Sequence, residues 1–313
     1  MRGAVLARRA ALLAAVMAAA IAAAFQVSPA GAASSQASWA CAPAGFSSLD
    51  TFGGAVLSTA RGGQIREPDL GQTVNQARTT RSFSPSFRAR VPVWVHVITP
   101  DGVTRNVSNQ LINDQIRVLD NTYAGGEGRF NTGFRFTLAG VDRTVNADWF
   151  YAYPGGAEHQ MKRALHTGGP ETLNMYLRTA GDYLGWAYLP DITLKGNSYL
   201  DGVVIDWESL RGASTKYAGR YDQGETATHE IGHWVNLEHT FFHGCNGEGD
   251  FVDDTPYEAT PTSGCPAGKG TCTAPGLDPI HNYMDYSYDQ CYTEFTAGQA
   301  ARMQDAWLTF RAP

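Results

Sequence analysis

The chain has 313 residues, 43% of them hydrophobic and 17% charged, with a formal net charge of −6 at neutral pH. That is ample apolar material for a buried core, and the acidic balance excludes nucleic acid as the natural partner. The longest apolar run, near the start, is too short and too rich in alanine for a stable membrane anchor.

Residues 1–33 read as an export signal, with Arg2, Arg8 and Arg9 as its basic start, an alanine-rich apolar core, and Ala30-Gly31-Ala32 as a small-residue cleavage site. Its removal takes the formal charge to −9 and places the mature protein outside the cell, where cysteines pair. Residues 34–90 are rich in Ser, Thr, Gly, Gln and Ala and carry a net +3, against −12 for residues 91–313. They read as a pro-segment or linker drawn electrostatically to the acidic domain that follows, with the Arg-rich stretch 78–90 as the place of its removal.

The domain, residues 91–313, opens with a strand over 91–98, where valines alternate with other residues. A helix follows over 109–123, capped by Ser108, with Leu111, Ile112, Ile116 and Leu119 at helical spacing and Gly125-Gly126 as its stop. Phe134, Phe136 and Leu138 alternate in a second strand over 133–145. A helix over 157–166 ends before Gly168-Gly169-Pro170, and a third strand covers 172–177. An edge strand is expected over 186–189 and another strand over 202–205. A helix occupies 226–235 and a closing helix 297–310, with a long Gly-, Pro- and Asp-rich loop between them. The pattern predicts an α+β fold, a twisted mixed sheet with an irregular C-terminal subdomain and a cleft between the two.

Within the 226–235 helix, His229-Glu230-Ile231-Gly232-His233 places two histidines four residues apart. Four residues make slightly more than one turn, so both imidazoles reach one ion from the same face. Glu230 then lies beside that clamp, where it acts as a base and not as a ligand. His239, six residues beyond His233, points away from the ion if the helix continues. The chain must therefore turn near Asn236, and Asn tolerates the left-handed conformation such a turn needs. Three neutral imidazoles and an open fourth position describe a catalytic zinc site.

These residues resemble the pappalysin family of metzincin zinc metallopeptidases, and within it the ulilysin-like secreted members. The likeness runs over residues 91–311 and is carried by Gly185-Trp186-Ala187-Tyr188-Leu189-Pro190, Asp201-Gly202-Val203-Val204, residues 228–241, Gly249-Asp250-Phe251-Val252-Asp253-Asp254-Thr255-Pro256, His281-Asn282-Tyr283-Met284-Asp285-Tyr286 and Phe295-Thr296-Ala297-Gly298-Gln299 with Arg302-Met303. The family usually has Gly where this chain has Asn236. The resemblance implies a secreted zinc endopeptidase acting on protein or peptide substrates. Met284 would lie beneath the metal site, and Tyr286 would donate a hydrogen bond to the oxyanion of the reaction.

It also implies calcium bound near Asp250 and Thr255 in an oxygen-rich loop that includes Asp253 and Asp254. Arg or Lys specificity is a further implication, with Asp285, Asp289 and Glu294 as the acidic contacts. Spacing alone leaves three pairings open for Cys245, Cys265, Cys272 and Cys291, and the resemblance favours Cys245–Cys272 with Cys265–Cys291. Cys41, outside the domain, is a candidate latency switch whose thiolate would take zinc's open position. The protein is expected to be a monomer. The competing reading is a catalytically weak zinc- or substrate-binding protein on the same fold.

Overall fold

The computed structural model of the chain describes residues 77–126 and 129–312. The export signal, Cys41 and all of the 34–90 segment before Ala77 lie outside the described residues.

The first strand, β1 (Ala89–Thr99), carries Val91, Val93, Val95 and Val97 fully buried on one face. His96 and Ile98, on the other, are buried too, as expected of a strand covered from both sides. Helix α1 (Asn109–Tyr123) starts at Ser108, whose side chain accepts from the Leu111 N–H at 3.2 Å. Then come β2 (Phe134–Val145), the short α2 (Ala147–Phe150), α3 (Gly156–Leu165), β3 (Leu173–Arg178) and β4 (Gly185–Ala187). After these are α4 (Pro190–Thr193), β5 (Val203–Asp206), α5 (Glu225–Trp234) and α6 (Ala297–Ala306).

The five strands form one sheet in the order β2-β1-β3-β5-β4. All neighbours run parallel except β4, which pairs antiparallel with β5 and so leaves its other edge as the rim of the sheet. One face packs against α1, α5 and α6 around Leu119, Tyr123, Ala227, Ile231, Trp234 and Met303. Across the sheet, Phe150, Met161, Trp186 and Leu200 make a second core against α2 and α3.

Two expectations need correction. The edge strand is shorter than 186–189: Pro190 opens α4 with Leu189 as its N-cap, and this draws Tyr188 and Leu189 out of the ladder. The closing helix does not run regularly to 310 but widens at Trp307 into a π-turn over Trp307–Arg311. That widening brings the buried Arg311 back to Asp201 and to the carbonyl of Trp234.

Between α5 and α6 the chain is largely irregular, crosslinked by Cys245–Cys272 and Cys265–Cys291. Lys269 ties this region further through Glu258 (2.6 Å), Asp278 (3.1 Å) and the Thr260 carbonyl (2.6 Å). No helix among the described residues is long and apolar enough to cross a membrane.

Candidate active site

His229 and His233 lie one turn apart on α5 and are buried. The helix ends in a left-handed Asn236 (φ 76°): the Asn236 N–H donates to His233 O (2.8 Å) and the Leu237 N–H to Gly232 O (2.9 Å). Those two bonds are the Schellman pattern of a helix stopped by a left-handed residue. The turn swings His239 back over the helix face. Its Nε2 stands 3.2 Å from His229 Nε2 and 3.1 Å from His233 Nε2, and the latter two are 3.2 Å apart.

The tautomers follow from the partners. His229 Nδ1 donates to the Tyr283 carbonyl (2.6 Å) and His233 Nδ1 to the Leu237 carbonyl (2.7 Å). Carbonyls only accept, so the protons sit on Nδ1 and the Nε2 lone pairs point at one another. Burial pushes the His239 imidazole down to about 3, which keeps it neutral as well. Three converging lone pairs repel unless a cation lies between them. Tetrahedral nitrogens at zinc–nitrogen distances of about 2.0–2.1 Å stand roughly 3.3–3.4 Å apart, close to the spacing here. The donor set fits zinc.

Glu230 is completely buried, with its carboxylate against Gly185 of the rim strand β4. A Cβ at Gly185 would stand 2.9 Å from Glu230 Cγ and 2.6 Å from Val204 O, so only glycine fits there. Met284 lies under α5, and a Cβ on Gly232 would overlap its sulfur. The Tyr286 ring is 4.9 Å from that of His239 and 5.7 Å from that of His229, within a cluster of Leu184, Tyr217, Tyr221, Phe241 and Tyr288. In the sequence Gly185 is one residue of the family likeness, with no role legible there. The clash that explains it involves residues far apart in the chain.

The acidic loop divides. Asp254 accepts from Thr296 Oγ1 (2.6 Å) and Gly298 N (2.9 Å) at the start of α6, and Asp253 pairs with Arg78. Asp250 is buried. Its Oδ1 accepts from the Val252 N–H (3.1 Å), while Oδ2 makes no hydrogen bond within normal distance; the buried Thr255 hydroxyl lies beside it. Of the three acidic residues named for specificity, Glu294 pairs with Arg129 at the surface, and Asp285 accepts from the Thr262 and Tyr286 N–H groups. Asp289 is buried; it accepts from the Gln223 N–H (2.8 Å) ahead of α5, with the Gly224 and Glu225 N–H groups also directed at its carboxylate.

The sequence profile of peptidase family M43, described as pregnancy-associated plasma protein-A, matches residues 183–307. An extracellular metalloprotease of Neurospora crassa is 45% identical over 228 residues, 71% of this chain and 76% of the relative. The chain belongs to this family, the pappalysins. Extracellular metalloprotease 1 of Coccidioides posadasii is 43% identical over 71% of this chain and 78% of its own length. Mature mirolysin of Tannerella forsythia, solved with a cleaved peptide, superposes with a TM-score of 0.61 at 29% identity, covering 71% of this chain and 93% of that one. Promirolysin gives 0.62 at 30% identity over 72% and 82%. This pappalysin is a secreted zinc metalloendopeptidase with a mixed α+β metzincin fold; the binding-module reading is not favoured.

Proposed function

We propose that His229, His233 and His239 hold the zinc and that Glu230 is the general base that cleaves internal peptide bonds beside it. The observation that carries this is the convergence of three Nε2 atoms at 3.1–3.2 Å, with the protons of His229 and His233 fixed on Nδ1. Zinc, when bound, acidifies a coordinated water and polarises the scissile carbonyl. Glu230, held dry against Gly185, takes the proton of the attacking water and delivers it to the leaving amine. Tyr286 donates to the oxyanion from beside His239. The substrate main chain lies along the rim of β4 as an added strand, which sets its carbonyl beside Glu230.

Asp289, buried and next in the chain to Tyr288 of the aromatic cluster that includes Tyr286, is the residue we assign as the acidic contact for an Arg or Lys side chain. Calcium is proposed at Asp250 and Thr255, where a buried carboxylate lies beside a buried hydroxyl.

The test of the catalytic assignment is Glu230→Gln. The variant should retain stoichiometric zinc and lose roughly two to four orders of magnitude in turnover on casein; retained turnover rejects Glu230 as the base. His239→Ala with full zinc occupancy would reject the metal site. Calcium added to chelator-treated protein should raise the melting temperature of the parent and not of Asp250→Asn.

A further inference from the structure

We propose that Arg302 is a positioning residue for the third zinc ligand and that residues 77–86 form a strap holding Arg302 in place; this rests on His239 being that ligand. The reach of His239 is set where α5 ends, and the carbonyls there have lost their helical partners. Two arginines from the C-terminal helix take them. Arg311 donates to Trp234 O through Nε (3.0 Å) and Nη2 (2.7 Å) and is anchored by two bonds to Asp201. Arg302 donates through Nε to the carbonyl of Asn236 (2.7 Å), the left-handed residue itself. Arg302 is buried, and its guanidinium lies 5.2 Å from the centre of the Phe251 ring, beside the Asp250 loop.

A second donor of Arg302, Nη1, meets the carbonyl of Ala77 at 2.8 Å. From there the chain is stitched along α6. Thr79 Oγ1 and Arg81 Nε donate to Asp305 (3.0 and 2.7 Å), and the Ser84 N–H donates to Gln304 Oε1 (2.8 Å). Arg78 pairs with Glu248 and Asp253, while Phe83 packs against Phe130 with ring centres 5.1 Å apart. One strap thus bonds to Arg302, Gln304 and Asp305 of one helix, and the arginine at its head grips the turn that aims His239. Nε and Nη1 of one planar guanidinium reach the two carbonyls from separate atoms in a fixed fork, a geometry that the single nitrogen of lysine does not reproduce.

The strap lies within the segment whose Arg-rich stretch 78–90 is the expected place of removal. Cutting after Arg78 or Arg81 would detach the head of the strap from Arg302, so maturation that preserves the brace occurs before Ala77.

The experiment uses the full secreted chain carrying Arg302→Lys, or Arg81→Gln to loosen the strap alone. The rate of zinc loss to a chelator, the visible spectrum after cobalt substitution, kcat, KM and melting temperature are read together. Arg302→Lys should release zinc about tenfold faster, the usual scale for groups that orient ligands, with a shifted cobalt spectrum and lower kcat at near-parental KM. Arg81→Gln should act in the same direction by a smaller factor. Val93→Ala, a core substitution remote from the turn, should lower the melting temperature with zinc release and spectrum unchanged. Parental zinc release in Arg302→Lys overturns the proposal, as does equal acceleration in Val93→Ala. Should Arg302→Lys fail to be secreted, parental release in Arg81→Gln overturns it. A His239→Ala chain that keeps its zinc would instead sink the underlying assignment of the ligand.

Discussion

At the scale of single residues, the base and the rim strand constrain each other. Glu230 needs a dry, fixed position, and Gly185 supplies it by having no side chain: the nearest Glu230 atoms leave no room for a methyl group. Gly185→Ala should therefore displace the carboxylate without touching the histidines. We expect kcat/KM to fall by about 10² with zinc content unchanged, on the general cost of a misplacement near 1 Å; parental kinetics would mean that β4 shifts freely to make room. Tyr286→Phe should lower kcat more than it raises KM, because an oxyanion contact is made in the transition state and not in the ground state. Equal kinetics would leave Tyr286 as packing. The histidine spacing and Glu230 were legible because one helical turn carries them. Gly185 was not, because its constraint comes from helix α5, distant in the chain and packed directly on β4 only in the fold.

At the scale of elements, helix α1 was legible to the residue: Ser108 caps it, the apolar spacing marks its face and a glycine pair stops it. The rim strand and the last helix were less so. Pro190 ends the one, and the other widens at Trp307 in answer to tertiary bonds that propensity does not encode. The end of α5 belongs to both groups. Its need for a turn followed from the place of His239, while the carbonyls that arginines hold there came only with the fold. Asn236→Gly should be neutral or slightly stabilising. Asn236→Val should weaken zinc retention, since a β-branched residue resists φ near 76°. Tight zinc in the valine variant would show that the turn can be made another way.

At the scale of the whole molecule, buried carboxylates fall into two groups with opposite pH dependence. Burial pushes Glu158 and Asp201 up, but Lys162 and Arg311 beside them hold both below the usual carboxylate range. Their stabilisation is present above the ordinary carboxylate pKa and is lost as the pH falls through the depressed folded values. Glu225 and Asp289 go the other way. Burial raises Glu225 to about 8, assisted by Asp289 and opposed by Thr228 and Arg211. Burial raises Asp289 to about 7, with Asp222 adding to the shift and the backbone N–H groups of Gln223, Gly224 and Glu225 opposing it. A raised folded pKa gives stability that is complete below the unfolded value, falls as the pH rises past it, and is fully lost once the pH has passed the folded values of about 7 and about 8. These two groups thus make the zinc-saturated protein lose stability progressively from mildly acidic pH up to about 8. Glu225→Gln removes one of the two titrations while keeping the shape of the side chain. Its melting temperature should lie nearest the parent's at pH 4.5, and its advantage should grow up to pH 8.5 by roughly 2–4 °C for each kcal/mol recovered. A difference that does not change with pH would show that Glu225 is not the group that titrates.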